Sequence, residues 1–155
     1  MSGNLFLRQA TPAEQGALED LQRRASLMWD EYRATLLENP DAIELPMDQI
    51  TGGNTIVAEK SGKTLGFAEA LPRSDGNAEL DGLFVEPEAW RMGVGRRLID
   101  GAKSLASSYR AGVMYVIANP RAKDFYTACS FVLISETPTR FGPGLVMRKD
   151  VSVAE

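Results

Sequence analysis

Residues 89–98, AWRMGVGRRL, set Gly93 and Gly95 among Arg91, Arg96 and Arg97, just ahead of an apolar helical pattern. A strand, a glycine-bearing turn and a helix make an anion site. Backbone N–H groups at a helix start point outward without intrahelical partners, and the helix dipole favours negative charge there. Glycine lets the backbone approach phosphate oxygens closely, and arginines add charge-assisted hydrogen bonds. The plainer alternative is a glycine-rich turn with solvated arginines. Two well-defined phosphate loops fail on specifics. The Lys-Ser/Thr ending of a P-loop is missing. A dinucleotide fingerprint would need glycine where Leu98 stands, and the following strand ends at Asn119 without an acidic residue for a ribose.

The whole chain bounds the chemistry further. Its 155 residues suit one domain, 1–155, with a real core. There is no histidine, which excludes Ser-His-Asp triads, Cys-His pairs and histidine metal sites, and no metal is expected. A net charge of −4 argues against non-specific nucleic-acid binding. No apolar run approaches the roughly 20 residues of a membrane helix, and the N-terminus lacks the apolar stretch of a secretory signal. A single cysteine, Cys129, suits a reducing compartment, so the expectation is a cytoplasmic protein without membrane contact.

The elements that must position the loop follow from patterning. Residues 5–9 alternate as a short strand. Thr11, Pro12 and Glu14 form a helix start with a capping box, and Ala17, Leu18, Leu21, Ala25 and Met28 recur at helical spacing. The pattern breaks near residues 38–46, where a second short helix or loop follows. Residues 54–60 and 64–72 flank Ser-Gly-Lys as a hairpin, and residues 77–87 make a third strand. Val94, Leu98, Ala102 and Leu105 mark a helix face reaching about Ser107. Residues 112–119 are a continuous apolar run, expected of a strand buried on both faces. A short helix begins at Pro120, and residues 131–138 and 144–151 close the chain as a hairpin joined by TRFGPG. The order implies one α/β domain with a mixed sheet.

With these elements in place, LFVEPEAWRMGVGRRLI resembles the pyrophosphate loop of the GNAT superfamily of acetyl-CoA-dependent N-acetyltransferases. Val85, Pro87, Gly93 and Gly95 stand at the expected places, while Trp90 occupies the usual Gln or Arg position. ANPRAKDFYTACSF resembles a second family segment through Asn119, Ala122, Phe125, Tyr126 and Phe131, with Ser130 replacing a glycine. The resemblance implies a central mixed, mostly antiparallel sheet of about six or seven strands, splayed between the fourth and fifth and flanked by about four helices.

The resemblance also assigns roles. Leu83, Phe84 and Val85 would pair with the pantetheine arm of acetyl-CoA, as an added strand does. Arg91, Met92, Gly93, Val94, Gly95 and Arg96 would cradle its pyrophosphate, with Asn119 at the end of the neighbouring strand. Tyr126 would lie near the thioester sulfur, as cofactor contact and general acid; ordinary core packing is the alternative. Acylating an amine whose pKa is near about 10 also needs a base at neutral pH. Glu79 and Asp81 are two apart on one strand face, and the resemblance implies a base at Glu79, where a branch of the family has a glutamate acting so, often through water. Asp81 and Glu69 are its rivals.

Cys129 has no histidine partner and reads as inert packing. Trp29 and Tyr32 would line an acceptor pocket or pack in the core. Residues 13–50 hold nine acidic and three basic residues, a local charge of −6, which favours a cationic amine unless it marks a solvated helix face. The expected partners are acetyl-CoA and a small-molecule or peptide amine, with a homodimer left open and no nucleic acid. A non-catalytic acyl-CoA sensor and a toxin acetylating aminoacyl-tRNA are the competing readings.

Overall fold

The computed structural model describes residues 4–140 and 142–151, without the side chains of residues 30–32 and 40. The Tyr32 side chain and Phe141 of the last connection lie outside the described residues. In chain order the elements are β1 (Phe6–Gln9), α1 (Gln15–Leu27), α2 (Asp30–Glu38), α3 (Met47–Thr51), β2 (Thr55–Lys60) and β3 (Lys63–Pro72). There follow β4 (Ala78–Val85), α4 (Val94–Ser108), β5 (Val113–Ala118), α5 (Lys123–Ala128), β6 (Val132–Thr139) and β7 (Gly142–Asp150). The strands form one seven-stranded sheet in the order β1-β2-β3-β4-β5-β7-β6. It is mixed and mostly antiparallel, with β4 and β5 parallel.

That arrangement is the expected one. The short helix α3 follows the break near residues 38–46, as expected, whereas α2 lies ahead of that break and was not foreseen. The β4–β5 register runs from Ala78↔Met114 to Leu80↔Val116, although β4 continues to Val85 and β5 to Ala118. A register that short is in keeping with the expected splay.

The chain divides into two compact units, and β3, β4 and α4 each contribute to both. The first comprises the chain up to Glu69 with Gly82–Gly101. Its core gathers Ala10, Leu18, Leu21, Leu45, Ile50, Val57 and Phe67, with Phe84 packed against them. Helix α1 buries Leu18, Leu21 and Ala25, whereas Ala17 is exposed and Met28 half-exposed, so its apolar stripe is narrower than the sequence spacing implied. Glu14 starts the helix as expected, its Oε1 accepting from the Thr11 N–H at 2.8 Å. The Arg8 guanidinium also binds Glu14 and holds its carboxyl down at about 2. This contribution to stability is complete above the ordinary carboxylate pKa of about 4.5 and is lost as pH falls through about 2.

Helix α4 seats on β3 through Gly66. A Cβ there would lie 2.8 Å from the Phe84 carbonyl oxygen and 3.1 Å from Leu98 Cδ1. Only a residue without a side chain allows that approach.

The second unit comprises Ala70–Asp81 and the chain from Ala102 onward. Here β5 departs from expectation. Met114, Val116 and Ala118 are buried, but Val113 and Tyr115 are half-buried and Ile117 is 53% exposed. The apolar run therefore covers a strand with one buried face. Edge strand β6 is exposed along nearly its whole length.

Candidate functional site

The first unit holds the glycine loop. Strand β4 ends at Val85, a 3₁₀ turn spans Pro87–Ala89, and α4 begins at Val94. Between them the backbone takes positive φ twice, at Arg91 (67°) and Gly93 (82°). Arginine in the left-handed region costs roughly 1–2 kcal/mol, so the loop holds a conformation that its side chain at 91 opposes. Within the loop the Trp90 N–H donates to the Pro87 oxygen at 3.2 Å and the Met92 N–H to the Ala89 oxygen at 3.3 Å. The first bond of α4 runs from the Arg97 N–H to the Gly93 oxygen at 3.1 Å, and its first turn carries no acidic residue. A helix start with no acid in its first turn and glycine just ahead of it suits an anion.

Two side chains behave differently from the sequence expectation. Arg97 Nη2 donates to the Leu5 carbonyl at 3.2 Å, which commits it to the start of the chain. Trp90, standing at the Gln or Arg position, donates from Nε1 to the Val85 carbonyl at 2.8 Å and stacks on Trp29 with ring centroids 5.7 Å apart. Trp29 is thus placed against the loop rather than in the core. Arg24 fixes the same connection by a two-pronged bond to Glu86, at 3.0 and 2.6 Å. Leu83, Phe84 and Val85 are all half-buried, and the Phe84 ring lies 5.4 Å from that of Phe67. Glu69, the third base candidate, is buried, and a Cβ at position 82 would lie 2.9 Å from its Oε1.

The second unit holds the remaining candidates. Glu79 is half-buried with its Oε1 3.6 Å from Arg73 Nη1, and Asp81 is exposed. Tyr126 is buried in α5, its ring edge-to-face with Phe125 at 5.1 Å and Phe131 at 5.3 Å. Burial, with a smaller contribution from Cys129, raises its phenol well above the ordinary tyrosine range. The phenol therefore stays protonated across the working pH range. Asn119 accepts the Arg121 N–H at 2.7 Å and so caps the turn leading into α5. Cys129 is buried, as its apolar neighbours implied, and its carbonyl accepts from Lys149 Nζ at 2.7 Å.

Part of the acidity of residues 13–50 is structural: Glu14 serves Arg8 and Thr11, and Glu19 accepts the Leu45 N–H at 2.8 Å. Among the described residues no cluster could hold a metal ion, and no helix is long and apolar enough to cross a membrane.

The profile of the acetyltransferase (GNAT) family matches residues 21–131, most of the chain. The chain belongs to this family of acetyltransferases. No curated protein sequence matches it significantly. Among solved structures it is similar to the PaiA N-acetyltransferase of Thermoplasma acidophilum in complex with coenzyme A, at TM-score 0.77 and 17% identity, over 95% of this chain and 99% of that one. It is also similar to an aminoglycoside 6′-N-acetyltransferase complexed with coenzyme A (TM-score 0.75, 17% identity, 97% and 99% covered). A third is the ribosomal-protein-alanine N-acetyltransferase of Brucella melitensis (TM-score 0.67, 22% identity, 94% and 99% covered). At these identities the likeness establishes the fold.

Proposed function

We propose that the chain is a single N-acetyltransferase domain that moves the acetyl group of acetyl-CoA directly onto a primary amine within a ternary complex. The observation that carries this reading is the loop with positive φ at Arg91 and Gly93, opening onto an acid-free first turn of α4. That combination suits the pyrophosphate of coenzyme A. Arg91 and Arg96, both exposed, supply cationic side chains to the same loop. N–H groups of β4 at Leu83–Val85 serve the pantetheine arm, one of them polarising the thioester carbonyl. The Val85 carbonyl already accepts from Trp90.

In the reaction the amine nitrogen attacks the carbonyl carbon, a C–N bond forms, the C–S bond breaks and coenzyme A leaves as a thiolate. Glu79 takes the ammonium proton before attack, and the second proton, shed by the nitrogen as the amide forms, passes through solvent to the leaving thiolate. Tyr126, protonated throughout, donates a hydrogen bond to the sulfur as charge develops. The acceptor arrives largely as an ammonium ion, which the acidic N-terminal segment favours.

Acetyl-CoA or coenzyme A at about 100 times its dissociation constant adds roughly 2.7 kcal/mol, or roughly 5–10 °C in Tm for a chain of this size. Both tryptophans, Trp29 and Trp90, lie at this loop, so intrinsic emission should change with the same midpoint. Absence of both responses at saturating ligand would remove the assignment.

Tyr126→Phe should lower kcat roughly 100-fold, the low end for removing one hydrogen-bond donor to a developing anion, while changing acetyl-CoA affinity far less. Phenylalanine keeps the ring contacts with Phe125 and Phe131, so a pure packing role predicts little change in either quantity.

A further inference from the structure

Tyr115 on β5 pairs in register with Glu79 of β4 on one side and with Arg148 of β7 on the other. Residues paired across neighbouring strands lie side by side on one face, so these three side chains form a row. Arg73, just past the end of β3, closes the group. Its Cζ sits 4.3 Å from the Tyr115 ring centroid, its Nη1 3.6 Å from Glu79 Oε1 and its Nη2 3.3 Å from Asp75 Oδ2. Arg148 approaches the same ring at 6.0 Å, with Nη2 3.7 Å from Asp150 Oδ1. The Arg73 backbone is fixed by the tight turn between β3 and β4: its N–H donates to Asn77 at 2.7 Å and its carbonyl accepts from Gly76 at 3.1 Å. Its guanidinium is therefore set over the ring, within cation–π range. The side chains of Arg73, Arg148 and Glu79 keep 36%, 44% and 36% exposure, enough to meet a ligand from solvent.

A carboxylate beside two guanidiniums on one aromatic ring complements a molecule with opposite charges close together. The carboxylate suits an amine, and each guanidinium fork suits a second carboxylate bidentately. A polyamine would meet both arginines as like charges. We propose that the acceptor is a small zwitterion of the α-amino acid class. Its carboxylate is held by Arg73 and Arg148 along Tyr115 while its amine faces Glu79. The inference rests on Glu79 being the group that meets the acceptor amine, and it makes Arg73 and Arg148 specificity-determining residues.

The test is thiol release from acetyl-CoA with free L-amino acids, each paired with its own methyl ester, alongside spermidine and an aminoglycoside. Esterification deletes the anion and also lowers the amine pKa, so the ester presents more free amine. A preference for the acid then runs against intrinsic reactivity. The expected acid-to-ester ratio of kcat/KM is roughly 10 to 100 in the wild type, the worth of a charge-assisted contact. The ratio should collapse toward one in Arg148→Gln and Arg73→Gln, with partial recovery in Arg148→Lys, which keeps the charge and loses the fork. A purely structural role for either arginine would lower kcat/KM for acid and ester alike and leave the ratio where it was.

Equal or better use of esters, spermidine or the aminoglycoside by the wild type, or a ratio unmoved in the variants, would overturn this inference and leave the transferase reading standing. Acetyl-CoA binding without turnover of any amine would overturn both.

Discussion

Gly93→Glu is expected to abolish the thermal and fluorescence responses to coenzyme A while the protein stays folded. A Cβ built at position 93 meets nothing within 4 Å, so the substitution creates no clash. Its cost is the positive φ of 82°, roughly 1–2 kcal/mol for a residue with a side chain. A carboxylate ahead of a helix start returns roughly 0.3–1 kcal/mol through the dipole. The net is small beside a typical domain stability of roughly 5–15 kcal/mol. For the ligand the balance is different, because the new charge faces a pyrophosphate in a site that acts through N–H groups and the helix dipole. Gly93→Ala separates the two effects, since it carries the same backbone strain without the charge. The alanine variant should retain a weakened response. An unchanged response in the glutamate variant would place the phosphate site elsewhere.

The same loop marks how far the sequence alone could be read. Gly93 ahead of a helical stripe was legible because its positive φ selects a local residue type, whereas Gly95 lies inside α4. Legible too was the hairpin turn Ser61–Gly62, where φ is 54° and 79°. The capping carboxylate of Glu14 acts over three residues and was equally plain. What escaped depends on residues distant in the chain. Arg97 looks like a loop arginine, yet it bonds to Leu5, 92 positions away. The run Val113–Ala118 looks buried on both faces, yet whether Ile117 is covered depends on which elements pack over its face. The grouping of Arg73, Glu79, Tyr115 and Arg148 needs a sheet order that brings β4, β5 and β7 together with the turn after β3. Its faint sequence signal was Tyr115, a polar-tipped aromatic inside an otherwise aliphatic run.

Glu79→Gln should lower kcat by roughly 100- to 10,000-fold near neutral pH, the usual contribution of a general base. Its expected effect on acetyl-CoA affinity is small. Glutamine keeps the shape beside Arg73, whose Nη1 lies 3.6 Å from Glu79 Oε1, but it cannot take a proton from an ammonium ion. The deficit is therefore largest at low pH, where an amine of pKa near about 10 is almost wholly protonated, and shrinks as solvent supplies free amine. Kinetics from about pH 6 to 9.5 approach that pKa and expose the trend. Asp81→Asn and Glu69→Gln run beside it as rival bases, on unequal terms. Asp81 is exposed, so its loss should cost little stability, and a matching pH-dependent defect there would transfer the role to it. Glu69 is buried, so its variant needs an unchanged Tm before any kinetic loss is assigned to chemistry. A Glu79→Gln protein with near wild-type turnover across the whole range would remove this residue from the mechanism, and with it the amine position on which the zwitterion inference depends.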